Sequence, residues 1–200
     1  MPGNNPIPGS NKSLHQLTTE ELGKLFPIVL SEPSKKWPQL FQEEKNTIMD
    51  AFNQSEILAI DHIGSTAVSG IKAKPCIDIL LQVNEETDNQ KLMDVFYKLG
   101  YQLNKHPENP PPHMTFVKGY TIRGIEGQTF HVHVRYPGDW DEIRFRDYLN
   151  QHKKLAEEYE SLKTALASQY KYNREAYTQS KTAFIEKINN ITRKQTGNPQ

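Results

Sequence analysis

An acidic residue inside an apolar strand and a pair of alternating histidines are the residues of this chain best suited to chemistry. Asp78 lies within the run Cys76–Val83, whose other members are almost all apolar. A carboxylate in such a strand is costly to bury unless it is paired, hydrogen-bonded or bound to a metal. His131 and His133 alternate along the predicted strand 130–134, so both imidazoles point to one face. The histidine pair is predicted to bind a metal or, alternatively, to form a polar strand face exposed to solvent.

A glycine–serine segment follows the predicted strand at residues 57–63. Gly64 at the end of a strand lets a ligand approach the backbone closely. Ser65, and Thr66 after it, can offer hydroxyl and backbone N–H groups to a phosphate oxygen, and a helix starting there would add its dipole. The alternative is a simple turn at Gly64 and Ser65, with Asp78 capping or pairing with a neighbouring loop.

Basic residues flank these positions along the chain and are candidates for contacts with an anion. Lys74 precedes the acidic strand, Arg135 follows the histidine pair, and Arg146 lies on a predicted helix. Arginine binds phosphate or carboxylate through two parallel hydrogen bonds, whereas lysine acts as a point charge. By contrast, Lys163 lies among glutamates and is predicted on a solvated helix face, and Cys76 is predicted to pack in the core.

These residues need a sheet that brings separate strands together. The hydrophobic pattern predicts two N-terminal helices, then strands with one inserted helix, then a helical C-terminal part from residue 139 onward. We expect an α/β (α+β) architecture in one domain, residues 14–192, between tails at 1–13 and 193–200. The first helix is predicted to end at Pro33, the second to expose Glu44, and the last to run unbroken over residues 173–191.

Composition narrows the classes of partner. The chain has 200 residues and no formal net charge, with 24 Lys and Arg against 24 Asp and Glu. A neutral chain is a poor candidate for bulk electrostatic binding to nucleic acid or to an anionic membrane. No apolar run approaches the roughly 18 residues of a membrane span, and the N-terminus lacks the apolar core of a signal peptide. A single cysteine excludes an internal disulfide, so we expect a cytoplasmic protein.

Four segments of the sequence resemble landmarks of the GrpB family. The longest is HIGSTAVSGIKAKPCIDI at 62–79, in which Ser69 stands where family members usually have proline. The others are WPQLF at 37–41, FRDYL at 145–149, and REAY at 174–177 followed by Lys181. The family is placed in the nucleotidyltransferase superfamily, so the resemblance implies a mixed β-sheet flanked by helices. The resemblance also covers Arg146 and favours it as a site residue.

The resemblance further implies a metal-binding motif in which this chain departs from the superfamily pattern. In that superfamily a Gly-Ser turn precedes a strand with two acids, two residues apart, which share a face and chelate a divalent metal. Asp78 matches the first acid, but Leu80 stands at the second position and cannot ligate a metal. In that superfamily a third acid comes from a neighbouring strand, so we expect His131 and His133 to lie near Asp78 as candidates to replace the missing acid. Two imidazoles and one carboxylate suit Zn²⁺, Mn²⁺, Fe²⁺ or Ni²⁺ better than Mg²⁺.

Two functions are therefore expected from the sequence. One is metal-dependent nucleotidyl or phosphoryl transfer to a small molecule, with Asp78, His131 and His133 as catalytic and metal-binding residues. The other is a nucleotide- or anion-binding module that has lost catalysis. In both cases a nucleotide is the substrate or ligand, and a divalent metal (Mg²⁺, Mn²⁺ or Zn²⁺) is the expected cofactor. The residues expected to bind phosphate or nucleotide are Gly64, Ser65, Thr66, Lys74, Arg135 and Arg146.

Overall fold

A five-stranded mixed sheet forms the centre of the computed structural model, which describes residues 13–53, 55–105 and 107–196. The strands are β1 (Ile57–Ile63), β2 (Cys76–Val83), β3 (Gln102–Lys105), β4 (Met114–Thr121) and β5 (Gly124–Arg135). Their order across the sheet is β1-β2-β5-β4-β3. The central pair, β2 and β5, is parallel, and every other neighbouring pair is antiparallel. The mixed sheet flanked by helices that the resemblance implied is confirmed.

Seven α-helices accompany the sheet in the described part of the chain. They are α1 (Thr19–Leu25), α2 (Lys36–Ala51), α3 (Asn89–Lys98), α4 (Asp141–Gln151), α5 (Lys153–Gln169), α6 (Arg174–Gln179) and α7 (Thr182–Thr196). A short 3-10 helix, Ser65–Ala67, follows β1. None of these helices is long and apolar enough to cross a membrane.

Two helix boundaries differ from the sequence prediction. The first helix ends at Leu25 rather than at Pro33, because Pro27 disfavours helical backbone in the residue before it. The single last helix is two helices, α6 and α7, and α7 continues through residues 193–196, past the expected boundary at 192. Residues 1–12 and 197–200 of the expected tails lie outside the described residues.

One face of the sheet carries the main apolar core. Ile77 and Ile79 of β2 are fully buried there, together with Ile48 of α2 and Phe96 of α3. Burial of each such side chain contributes about 1.5–3 kcal/mol. A one-residue slip of β2 would exchange these isoleucines for the residues of the other face, including Asp78. The core therefore fixes which face of the sheet presents the acid.

The opposite face carries Asp78 and Leu80 and is bordered by the C-terminal helices. Helices α4, α5 and α7 pack on one another through a second apolar cluster that includes Phe145, Tyr159 and Ile188. Leu80 is fully buried, as expected for a strand that is covered on both faces. The helices leave a cleft over the part of the sheet where Asp78 lies.

Glu44 was predicted to face water, and this prediction is wrong. The residue is buried, and its Oε1 atom accepts hydrogen bonds from the Tyr101 hydroxyl and the Lys118 amine, each at 2.8 Å. A carboxylate is stable in such a place only when it is paired and hydrogen-bonded. Glu44 thereby connects α2 to the start of β3 and to β4.

Lys163 was also predicted to lie on a solvated face, and the structure buries it. Its amine donates to the backbone carbonyl of Lys72 and lies 4.9 Å from the centroid of the Tyr159 ring. One turn earlier on α5, Glu160 Oε2 accepts the backbone N–H of Lys72 at 2.5 Å. Burial, followed by the charge of Lys181, lowers the pKa of Lys163 to about 7. Helix α5 therefore binds both the N–H and the carbonyl of Lys72 and so holds the segment that leads into β2.

Candidate functional site

The glycine after β1 lies directly against the acid of β2. Ile63 pairs with Asp78 across the antiparallel strands, and the chain turns at Gly64 with φ +71° and ψ −169°. A Cβ atom at Gly64 would lie 2.5 Å from Asp78 Oδ2 and 3.0 Å from Asp78 Cβ. Both the backbone conformation and the close approach therefore require glycine.

The parallel pairing of β2 and β5 brings the two predicted histidines to Asp78. Asp78 pairs with His131 and Leu80 with His133. His131 Nδ1 lies 3.2 Å, and His133 Nε2 3.8 Å, from the same carboxylate oxygen, Asp78 Oδ1. On its other side, His131 Nε2 lies 2.9 Å from the Tyr120 hydroxyl.

Electrostatics favours an ionised Asp78 beside a neutral His131. Burial by itself would raise the pKa of Asp78, but the neighbouring imidazoles of His131 and His133 hold it well below its ordinary value of 3.8. Burial lowers the pKa of His131 below 6.5, against the opposing effect of Asp78. A carboxylate that accepts a hydrogen bond from an imidazole fixes the orientation and tautomer of that ring.

The cleft beside these residues has a volume of about 1050 Å³, and five lysine and arginine side chains of the described part of the chain line it. Arg144 and Arg193 pair with acids, and the other three are Lys74, Arg174 and Lys181. Lys74 precedes β2, Arg174 begins α6, and Lys181 lies between α6 and α7. Burial, followed by the charges of Lys74 and Arg174, lowers the pKa of Lys181 to about 8. Burial and the charge of Arg174 likewise lower the pKa of Lys74 below 10.5. Among the described residues, none of the three forms an ion pair with a carboxylate.

Aromatic rings hold these cations in place. The amines of Lys74 and Lys181 lie 6.0 and 4.5 Å from the centroid of the Tyr177 ring, and the Arg174 guanidinium lies 5.7 Å from that of Tyr120. Sequence reasoning did not select Arg174 or Lys181 as site residues, although both lie in the C-terminal segment that resembles GrpB. The sequence did contain a signal for them, since Arg174 and Lys181 are basic residues on either side of Tyr177 in that segment.

The glycine–serine segment lies at the cleft, as the sequence suggested. Gly64, Ser65, Thr66 and Lys74 all line it. Burial raises the pKa of the Tyr159 phenol to about 12, against the opposing effect of Ser65. The Thr66 hydroxyl donates to the backbone carbonyl of Cys76 at 3.0 Å. This hydrogen bond ties the segment after β1 to the first residue of β2.

The remaining two predicted anion-binding residues, Arg135 and Arg146, are not among the residues that line this cleft. Arg135 is 4% exposed, donates to the backbone carbonyl of Val134, and pairs with Glu142 at 3.5 Å in an adjoining cavity. Arg146 donates to the backbone carbonyl of His62 at 2.8 Å and pairs with acids on either side of it. Both guanidiniums therefore interact with carbonyl and carboxylate oxygens of this chain rather than with the cleft.

The donors required for a two-acid metal site are not assembled on β2. Leu80 occupies the second position and offers no ligand atom. Asp61 of β1 pairs with Leu80 across the strands, but its carboxylate lies 3.4 Å from Arg146. The side chains present therefore do not fit the two-acid chelate that the superfamily pattern implies.

Comparisons with known proteins assign the family. A model described as GrpB protein matches residues 27–190, which include Asp78, His131 and the cations Lys74, Arg174 and Lys181. The chain belongs to the GrpB family. The solved GrpB structure from Enterococcus faecalis superposes with a TM-score of 0.73 at 28% identity, covering 84% of this chain and 99% of that one.

Curated GrpB relatives agree with this assignment. The glutamate-rich protein GrpB of Alkalihalophilus pseudofirmus is 34% identical over 171 residues, covering 82% of this chain and 94% of the relative. A UPF0157 protein of Pseudomonas aeruginosa is 43% identical over 154 residues, which are 76% of this chain. The chain spans 62% of the length of that Pseudomonas protein. Neither the family description nor these names specifies a reaction, a substrate or a cofactor.

Proposed function

We propose that this GrpB protein is a binding module for a phosphorylated small molecule of the nucleotide class, held in the cleft beside Asp78. The observation that carries the proposal is the surplus of positive charge there. Lys74, Arg174 and Lys181 face one another and a single carboxylate, and burial, together with the charges of neighbouring cations, lowers the pKa of both lysines. A ligand with two or more negative charges would relieve the repulsion between these cations and form charge-assisted hydrogen bonds.

The other carboxylates around the cleft do not neutralise this surplus, because arginines already bind them. Asp139 and Asp141 both pair with Arg144, and Asp141 also pairs with Arg193. The cationic cluster is therefore available to an external anion. Gly64 and Ser65 also line the cleft and add hydrogen-bonding groups to it.

The size of the cleft supports a ligand larger than inorganic phosphate. Its volume of about 1050 Å³ matches the upper end of small-molecule pockets, which span roughly 300–1,000 Å³. Trp140 lies on the wall of the cleft, and its indole N–H is already satisfied by the backbone carbonyl of Tyr136 at 3.1 Å. Its ring is thus suited to contact a base or another flat apolar group.

The binding proposal is favoured over nucleotidyl transfer because of residue 80. Transfer through two chelating acids would need an oxygen ligand where Leu80 is buried. We therefore assign no transfer step, and the cations and Ser65 are sufficient for binding in the absence of metal.

Isothermal titration calorimetry in buffer containing a chelator tests the proposal. The full chain is titrated with nucleoside mono-, di- and triphosphates, pyrophosphate and inorganic phosphate. We expect at least one nucleotide to bind, and Lys181→Met to weaken binding by about 10-fold or more, as for loss of a hydrogen bond to a charged group. Lys153→Met is the matched control, because this lysine on α5 has a side chain that is 90% exposed. The proposal fails if no phosphate compound binds, or if both variants bind equally well.

A further inference from the structure

Three unlike metal-ligating side chains meet at the floor of the cleft. The ligand atoms of Cys76, Asp78 and His131 all lie within 4.8 Å of one another. Cys76 and Asp78 are two residues apart on β2 and share a face, and His131 is the register partner of Asp78 on β5. His133 also approaches Asp78. Within the described residues, however, the ligand atoms that all lie close to one another belong to Cys76, Asp78 and His131, and His133 is not part of that group.

We propose that Cys76, Asp78 and His131 bind one thiophilic divalent ion of the Zn²⁺ class, and that its fourth coordination position opens to the cleft. This inference does not depend on the binding of a nucleotide. A thiolate, a carboxylate and an imidazole are ligands that Zn²⁺ accepts together, and three protein ligands with one open position are typical of non-structural zinc sites. Mg²⁺ prefers oxygen ligands, so the sulfur of Cys76 selects against it.

Tyr120 supplies the supporting contacts that such a site needs. Its hydroxyl lies 2.9 Å from His131 Nε2 and 3.9 Å from Cys76 Sγ. When Nδ1 of His131 binds the ion, Nε2 carries the proton and donates to the Tyr120 oxygen. The Tyr120 hydroxyl can then donate to the sulfur. One side chain thereby orients the imidazole ligand and stabilises the thiolate ligand, as outer partners of metal ligands commonly do.

Formation of the site is balanced by loss of one proton. The Cys76 thiol gives up its proton to solvent as the sulfur–metal bond forms, and Asp78 and neutral His131 bind without a change in protonation. The bound ion, the thiolate and the carboxylate together carry no net charge. The ion therefore does not add a full double positive charge to the cations already in the cleft.

Cobalt spectroscopy on the full chain tests this site. Chelator-treated protein is titrated with Co²⁺, and a thiolate-to-cobalt charge-transfer band is followed in the near ultraviolet. The chain has one cysteine, so any such band reports Cys76. We expect one Co²⁺ per chain, displacement by Zn²⁺, and loss of the band in Cys76→Ser.

His131→Gln is compared with His152→Gln, because His152 is exposed between α4 and α5 and does not line the cleft. We expect the first to weaken Co²⁺ binding at least about 10-fold and the second to leave it within threefold, and Tyr120→Phe to weaken it about 10-fold. Circular dichroism establishes that each variant is folded. If Cys76→Ser does not fold, the two histidine variants still decide, because the cysteine is intact in both. The proposal is overturned if the wild-type protein gives no charge-transfer band, or if His152→Gln weakens binding as much as His131→Gln.

Discussion

Replacement of Gly64 by alanine tests the contact on which the site is built. The backbone of Gly64 has φ +71° and ψ −169°, a region that is essentially restricted to glycine and costs other residues about 1–3 kcal/mol. The added methyl group would also lie 2.5 Å from Asp78 Oδ2. Relief of that overlap requires the carboxylate or the turn to move, at a further cost of about 1–3 kcal/mol. We expect Gly64→Ala to lower the free energy of unfolding by about 2–6 kcal/mol.

Gly70→Ala separates the two contributions. Gly70 also has a positive φ, +78°, but a Cβ atom there would meet no atom within 4 Å. This variant should therefore cost only the backbone strain of the left-handed region, about 1–2 kcal/mol. Urea unfolding of both variants, followed by tryptophan fluorescence, gives the two free energies. The melting temperature should fall by about 2–4 °C for each kcal/mol lost in a chain of this size.

The comparison of the two glycine variants can refute the reasoning. If Gly64→Ala is no more destabilising than Gly70→Ala, the methyl group meets no resistance from Asp78. That result would refute the inference that the turn at Gly64 packs tightly against the Asp78 carboxylate. A change in the denaturant slope would indicate an altered unfolded state rather than a lost contact.

Three further predictions concern buried titratable groups. Burial lowers the pKa of His62 to about 4 from 6.5, so the unfolded chain takes up a proton between these values that the folded chain does not. Stability should therefore fall by about 1–2 kcal/mol from pH 7 to pH 5, and less in His62→Gln, when measured by urea unfolding. Burial lowers the pKa of Lys163 to about 7 from 10.5, so stability should rise by about 2 kcal/mol from pH 7 to pH 9 and stay flatter in Lys163→Met. Glu44→Leu leaves Lys118, whose side chain is 29% exposed, without its carboxylate and should cost about 2–3 kcal/mol. Thermal melts of Glu44→Leu/Lys118→Met should recover at least half of that loss, and no recovery would contradict the pairing.

The sequence predicted the strands of the site well because their signals are local. The nearly unbroken apolar run of β2 occurs where a strand is buried on both faces. The alternation of His131 and His133 places both on one face of β5 without knowledge of any partner. Their convergence on Asp78 is different in kind, since it requires the parallel pairing of two strands that are far apart in the chain. The family resemblance, rather than periodicity, supplied that step.

Residues on amphipathic helices were predicted less well, because a helical pattern does not say which long polar side chain will be covered. Glu44 has the sequence surroundings of an exposed acid, and its partner Tyr101 lies 57 residues away. Lys163 lies among glutamates on α5, and the carbonyl that it binds belongs to Lys72, 91 residues away. Arg146, a basic residue within a family segment, donates to the backbone carbonyl of His62, 84 residues away. In each case a distant element decides the role of the side chain.

The proposed anion and the proposed metal ion would both contact or neighbour Asp78, so charge would couple their binding. Without an ion, the carboxylate of Asp78 partly compensates the surrounding cations, Lys74 and Lys181. A divalent ion held by Asp78 and the thiolate of Cys76 changes this local charge from negative to neutral, so the cations attract a phosphate more strongly. Linkage requires the phosphate to raise the affinity for the ion by the same factor, within the roughly 5–150-fold range of such couplings. In the wild-type protein, a bound ion is therefore expected to raise the affinity for phosphate by the same factor as phosphate raises the affinity for the ion. Independent affinities would mean that the two ligands occupy sites without electrostatic contact.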